Sequence, residues 1–204
     1  MVASQLRTMA VNDPQVVAVM GQVPRERFVP EDKIALAYTD TLLPLGSGRA
    51  MNQPMVTGRL LTEARVETGD RVLLVGAGTG YTAALLGRLA GSVVALEEEP
   101  VLLARARSAP VGSNVRFVQG DLAAGWPEGA PYDLIVVDGA VEQVPPALIA
   151  QLADGGRLAT AITDGGVTRL AIGRRAGQGF GLTSFADADA APLPGFSRPV
   201  EFSF

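Results

Sequence analysis

The residues best suited to chemistry lie in one run, Val72-Leu73-Leu74-Val75-Gly76-Ala77-Gly78-Thr79-Gly80-Tyr81, where an apolar segment passes through three glycines. Glycine lets the backbone turn tightly and approach a ligand, and a helix starting there presents unpaired N–H groups and a positive dipole end. A dinucleotide loop would place its third glycine at position 81, whereas here it is Gly80, followed by Tyr81. That spacing suits a ligand offering a carboxylate and a ribose in place of a pyrophosphate, although an ordinary strand-to-helix turn would use the same glycines. Glu97 follows about 20 residues later at the end of the next apolar run, where its carboxylate can accept from both ribose hydroxyls. Glu98 and Glu99 either extend this acidic edge, Glu98 first, or supply charge to the start of the helix opened by Pro100. Gly120-Asp121-Leu122 offers a carboxylate for an adenine amino group and an apolar side chain for its ring, or a plain Gly-Asp turn. Asp138-Gly139-Ala140 closes a fourth apolar run, where ligands bind in open α/β sheets, and Asp138 would border the reacting group.

The expected cofactor is S-adenosylmethionine, and composition supports group transfer from a pre-activated donor. The 204 residues contain no cysteine and no histidine. Thiolate nucleophiles, Ser-His and Cys-His catalysis and nearly all zinc sites are thereby removed, and no metal is expected. A sulfonium methyl needs neither imidazole nor thiol. The net charge of −4 and isoelectric point near 4.9 argue against a dedicated nucleic-acid surface, and in the C-terminal part only Arg174 and Arg175 are adjacent basic residues. Charged residues, glycines and prolines interrupt every apolar stretch before the roughly 20 residues of a membrane span, and no secretory pattern is visible at the first residues. A soluble, cytoplasmic protein is expected, without membrane partners; the sequence leaves the oligomeric state open, with a monomer the simpler choice.

The elements that must position these residues read as one α/β domain. Asp13-Pro14 opens a helix running through Met20, Pro24 and Pro30 bracket a turn, and Pro54 starts a helix to about Arg65. From Asp70 onward short apolar runs alternate with helices, the mark of a parallel sheet with crossover helices. Strands are expected over Val72–Val75, Val93–Leu96, Val115–Val118, Leu134–Val137 and Arg157–Ile162, the last following an Asp-Gly-Gly turn. Helices are expected over Thr79–Ala90, Pro100–Ser108 and Pro145–Leu152. The continuous run Leu134–Val137 should be central and covered on both faces. Thr168–Arg174, Phe180–Phe185 and Val200–Phe204 should close the sheet with antiparallel strands, and Phe196, Pro199, Phe202 and Phe204 should pack as core. The expectation is thus a Rossmann-like class I methyltransferase fold: a mostly parallel central sheet flanked by helices, an antiparallel C-terminal edge and a helical N-terminal extension. Residues 1–65 would form the substrate side, 66–163 the cofactor core and 164–204 the C-terminal strands.

Outside the glycine loop, Val23-Pro24-Arg25-Glu26-Arg27-Phe28-Val29-Pro30-Glu31, Ala37-Tyr38-Thr39-Asp40 and Gln53-Pro54 occur in order. Gly120-Asp121, Gly125-Trp126-Pro127, Pro131-Tyr132-Asp133 and Gly155-Gly156-Arg157-Leu158 continue the series. Together they resemble the protein-L-isoaspartate O-methyltransferase family over roughly residues 16 to 160. The resemblance implies an enzyme that methylates the misplaced α-carboxylate of L-isoaspartyl residues in aged proteins, with S-adenosylmethionine as donor. A carboxylate with a reference pKa near 4 is already ionised at neutral pH, so no general base is required and catalysis is mainly alignment.

Two positions depart from the family pattern. Where a hydroxyl residue usually precedes Gln-Pro, this chain reads Met51-Asn52-Gln53-Pro54, and where Thr-Ala-Ala is usual it reads Asp138-Gly139-Ala140. Asn52 and Gln53, with Asp138, are the residues expected at the acceptor. The Asn52 amide can donate to a carboxylate or can cap the helix of Pro54. Asp138 opposes an anionic acceptor if it points inward, and does not if it faces cofactor or solvent. A related methyltransferase with another acceptor and a non-catalytic cofactor-binding protein are the alternatives.

Overall fold

The computed structural model describes Leu6 and residues 10–198. Nine strands and five α-helices follow in chain order among them: α1 (Pro14–Gln22), β1 (Leu43–Gly46), β2 (Arg49–Met51), α2 (Pro54–Ala64), β3 (Arg71–Val75), α3 (Tyr81–Leu89), β4 (Ser92–Glu97), α4 (Pro100–Arg107), β5 (Val115–Gln119), β6 (Tyr132–Val141), α5 (Pro146–Ala150), β7 (Leu152–Asp164), β8 (Val167–Ala176) and β9 (Gly179–Asp187). The strand expected over Val200–Phe204, with Pro199, Phe202 and Phe204, lies outside the described residues.

Seven strands form one sheet in the order β5-β4-β3-β6-β7-β8-β9. The first five run parallel, while β8 is antiparallel to β7 and β9 to β8. Side chains alternate across a strand, so an apolar run buried on both faces must feed two cores. Val72 and Leu74 of β3, with Leu134 and Val136 of β6, enter one cluster with α1, α2 and α3. Leu73, Val75, Ile135 and Val137 enter the other, with Leu122, Leu148 and Phe196. Phe196 is 1% exposed, as expected of a core residue. The chain leaves β3 outward through β4 to β5, then returns to β6 on the other side of β3. This reversal opens a crevice at the carboxyl ends of β3, β4 and β6, where α/β sheets hold ligands.

Helix starts follow their caps. Asp13 Oδ1 accepts from Gln15 N at 2.8 Å and Val16 N at 3.1 Å, with Pro14 at the first helical position. Glu99 caps α4 through Val101 N at 3.4 Å, so it serves the helix start. Arg157 of β7 closes the far end of α2: Nε donates to Ala64 O at 2.7 Å and Nη2 to Arg65 O at 3.1 Å, beside an ion pair with Asp70.

Three expectations are corrected. The N-terminal segment contains the hairpin β1–β2 as well as helices, a two-stranded sheet of its own, turning through Gly46, Ser47 and Gly48, all at positive φ. Strand β6 does not end at Val137 but runs to Val141, with a register break against β7 between Val136 and Ala140. Asp138-Gly139 is therefore a bulge inside a strand, a device that re-aims side chains beside sites. Asp154-Gly155-Gly156 likewise lies within β7 instead of preceding it.

Candidate functional site

The glycine loop leaves β3 with Gly76, Gly78 and Gly80 at φ of 81°, 55° and 95°, a region that disfavours any residue with a Cβ. Gly76 N and Ala77 N both donate to Leu96 O at 3.0 Å, which ties the loop to the end of β4. Gly80 is the N-cap of α3, which begins at Tyr81 and not at Thr79. Gly76, Ala77, Gly78, Thr79 and Tyr81 form one wall of a cleft whose other walls are Leu45, Arg49, Ala50, Met51, Thr82 and Asp138.

Glu97 ends β4 and is fully buried. Its Oε2 accepts from Gly78 N at 2.7 Å, and its Oε1 from Arg49 Nη1 at 2.7 Å and from Glu98 N and Glu99 N, both at 3.1 Å. A carboxylate with three backbone donors and a guanidinium is well satisfied for a buried charge. Burial raises the Glu98 pKa, as do the neighbouring Glu97 and Asp121 charges, against the pull of Arg49. The structure thus brings Glu97, Glu98 and Asp121 within electrostatic reach of one another. Asp121 is exposed and its Oδ1 accepts from Ala123 N at 2.8 Å. Gly120 packs beside Trp126 and Leu96. Leu122, expected against an adenine ring, is fully buried in the second apolar cluster and presents no side-chain surface to a ring.

At the other end of the cleft, Asn52 and Asp138 meet across 86 residues of sequence. Asn52 Nδ2 donates to Asp138 Oδ1 at 2.8 Å, and Thr82 Oγ1 donates to Asp138 Oδ2 at 2.5 Å. Asn52 Oδ1 accepts from Ala191 N at 2.8 Å. Asn52 does not cap α2. The cap position belongs to Gln53, whose side chain makes no capping bond and does not line the cleft. Burial pushes the Asp138 carboxyl up, opposed by the bonds from Thr82 and Asn52 and by the Arg25 and Arg49 charges. The bonds from Asn52 and Thr82, and its place in the cleft lining, turn Asp138 inward.

Several residues of the site carried no sequence signal of their own role. Arg25 is fully buried, its guanidinium 4.8 Å from the Tyr81 ring centroid, its Nε donating to Ala37 O at 2.7 Å and its Nη2 to Asn52 O. Burial lowers its pKa and raises that of Tyr81 to about 12. Among the described residues, Arg25 Nη1, Arg49 Nε and the Tyr81 hydroxyl are buried without a partner of hydrogen-bonding geometry. A strap over residues 188–196 runs along the end of β6: Ala140 N donates to Ala191 O at 2.7 Å and Leu193 N to Ala140 O at 2.9 Å. A Cβ on Gly139 would come within 2.5 Å of Ala191 O, so the strap docks only on glycine there.

The donor set fits a nucleoside cofactor bearing an amino-acid tail: a strand-end carboxylate, a glycine loop that brings backbone close, and buried donors left over. A profile of the family described as Protein-L-isoaspartate(D-aspartate) O-methyltransferase (PCMT) matches residues 1–181. The chain belongs to that family. Among relatives named protein-L-isoaspartate O-methyltransferase, that of Methylorubrum populi is 41% identical over 196 residues, covering 95% of this chain and 92% of the relative. That of Anaeromyxobacter dehalogenans (strain 2CP-C) is 46% identical over 160 residues, 76% of this chain and 77% of the relative. A solved structure of the same name superposes with a TM-score of 0.80 at 26% identity, over 93% of this chain and 64% of its own length. A Plasmodium falciparum structure, described as a family member in complex with S-adenosyl-L-homocysteine, superposes at 0.77 with 21% identity, over 91% of this chain and 93% of its own. The fold is that of class I methyltransferases, with the C-terminal edge antiparallel as expected.

Proposed function

We propose that this family member transfers a methyl group from S-adenosylmethionine to the α-carboxylate of L-isoaspartyl residues in damaged proteins. The observation that carries the reading is Glu97, a buried strand-end carboxylate bonded to Gly78 N at 2.7 Å, in a chain whose family profile spans residues 1–181. Glu97 would take the ribose hydroxyls, Gly76 to Tyr81 the amino-acid tail, and Glu98 with Asp121 the adenine edge. The cofactor supplies an activated methyl on a sulfonium. The chain's own residues align the acceptor and exclude water, which suffices because a carboxylate is already the nucleophile at neutral pH. Asn52 would be the acceptor-side donor: one N–H of its amide goes to Asp138, which lines the cleft, and the amide has a second to offer a carboxylate once this end of the cleft opens, since Asn52 itself is buried behind the lining. Residues 1–65 form the acceptor side of one domain, 66–163 the cofactor core and 164–204 the closing edge. The protein is read as cytoplasmic, working without metal or nucleic acid. No helix among the described residues is long and apolar enough to cross a membrane.

A second reading, transfer to a different acceptor, is favoured by one observation: the inward carboxylate of Asp138 places negative charge where an anion should bind. One assay separates the two. The protein is incubated with methyl-labelled cofactor and an isoaspartyl peptide beside its aspartyl counterpart. Base-labile label on the isoaspartyl peptide alone is the expected result. Cofactor binding without label on that peptide would overturn the first reading in favour of the second, or of a protein that binds the cofactor without turnover.

A further inference from the structure

We infer that Arg49 is a gate on the cofactor cleft, held shut by its ion pair with Glu97, and that the cofactor enters only when this side chain swings away from the carboxylate. The inference rests on the cofactor reading above. Arg49 Nη1 lies 2.7 Å from Glu97 Oε1, with the two side chains 6% and 0% exposed. Its Nη2 lies where a Cβ on Gly76 would be 3.1 Å away, and Leu193 of the strap reaches the same spot at 3.0 Å. Arg49 therefore lies against the glycine loop at Gly76. The free volume left in the cleft is about 20 Å³, room for roughly one water. Pockets for ligands of cofactor size run to about 300–1,000 Å³. In this conformation Arg49 takes up part of the narrow cleft, and the carboxylate expected to take the ribose is already bonded to it.

The hairpin itself is anchored in the first core cluster through Leu43, Leu45 and Met51, and Arg105 Nη1 donates to Leu45 O at 3.3 Å, so the part free to move is the Arg49 side chain beside the turn. The hairpin forms its own two-stranded sheet and turns through three consecutive residues at positive φ, Gly46, Ser47 and Gly48. Arg49 is the first residue after that turn. Its Nε has no partner of hydrogen-bonding geometry, so the closed position leaves one buried donor unsatisfied. Glu97 keeps three backbone donors when Arg49 leaves: Gly78 N, Glu98 N and Glu99 N. Opening therefore does not strand the carboxylate. A ligand that binds only the open state has its apparent affinity reduced by the fraction open.

The test is calorimetric titration of S-adenosylhomocysteine into the wild-type protein, Arg49→Ala and Arg49→Gln, with rapid-mixing association rates and thermal unfolding alongside. Arg49→Ala should bind at least about tenfold more tightly than wild type, since a minor open state is commonly populated at a tenth or less. Arg49→Gln, which keeps a donor without the charge and guards against misfolding of the alanine variant, should fall between the two. The wild-type association rate should level off with ligand concentration, because opening comes first, and that of Arg49→Ala should rise linearly. Weaker binding by a folded Arg49→Ala would make Arg49 a cofactor ligand and overturn the gate. Affinities within about twofold would overturn it as well. Absence of binding to wild type and variants alike would overturn the cofactor reading together with the inference.

Discussion

Removing the Asn52 side chain tests the geometry at the acceptor end of the cleft. Asn52→Ala deletes the bond from Nδ2 to Asp138 Oδ1 and leaves the buried Ala191 N without its acceptor, each 2.8 Å in length. A hydrogen bond to a charged group contributes about 1.5–3 kcal/mol, and a buried donor left unpaired costs about 1–3 kcal/mol. The loss should therefore be about 2.5–6 kcal/mol, a large fraction of the stability of an ordinary domain. Asp138→Ala should cost less, because it deprives Asn52 and Thr82 of an acceptor but also removes a carboxylate that burial disfavours. A double-mutant cycle isolates the pair. The coupling between positions 52 and 138 should be about 1–2 kcal/mol, in the lower half of the range for contacting residues because Asp138 retains some exposure. Urea unfolding of the four proteins measures it. Effects that add within about 0.5 kcal/mol would show that the two side chains do not interact, and the description of this end of the cleft would be wrong.

The raised Asp138 pKa means that the folded state holds this proton more tightly than the unfolded state, so the group's contribution is fully present below its unfolded value near 4 and is lost as pH rises through the folded value. The stability of wild type relative to Asp138→Asn should therefore fall with rising pH in urea melts, and a rise would contradict the assignment. Gly139→Ala pushes a methyl group against Ala191 O and should cost about 1–3 kcal/mol by overpacking while exposing residues 188–196 to protease; an unchanged unfolding midpoint and digestion pattern would refute the docking of the strap. Tyr81 and Tyr132 are both held near 12 by burial, so ultraviolet titration at about pH 11 should find most of both still un-ionised, and two phenolates already formed there would contradict their burial.

The sheet was legible where local chemistry and global position agree. Val72–Val75 and Leu134–Val137 are short unbroken apolar runs, and only a central strand covered on both faces consumes such a run. Pro14, Pro54 and Pro100 each mark a helix start because proline's missing N–H costs nothing at the first helical position. The hairpin β1–β2 was not legible, since Pro44 and the Gly46-Ser47-Gly48 turn interrupt the alternation that identifies strands. Asp138-Gly139 reads as a turn in any local window, and only the pairing of β6 with β7 reveals a bulge. The place of Glu97 beside the glycine loop was legible because its spacing from that loop is set along the chain. Arg49 on Glu97 and Asn52 on Asp138 were not, because those partners are 48 and 86 residues apart and meet only when the N-terminal segment folds over the sheet. Leu122 was ambiguous for a related reason: an apolar residue after Gly-Asp can face a ring or the core, and its side chain lies in the core.

The placement of the cofactor in the crevice between β3, β4 and β6 is tested most directly by amide hydrogen exchange with and without S-adenosylhomocysteine. Protection is predicted at residues 76–82, at 97–99 and at 120–122, with smaller changes at 138–140. Protection confined to the neighbouring groove of about 1,060 Å³ lined by Arg27, Glu31, Arg105 and Pro110, which meets the glycine loop at Thr79, with the rest of that loop unchanged, would contradict it.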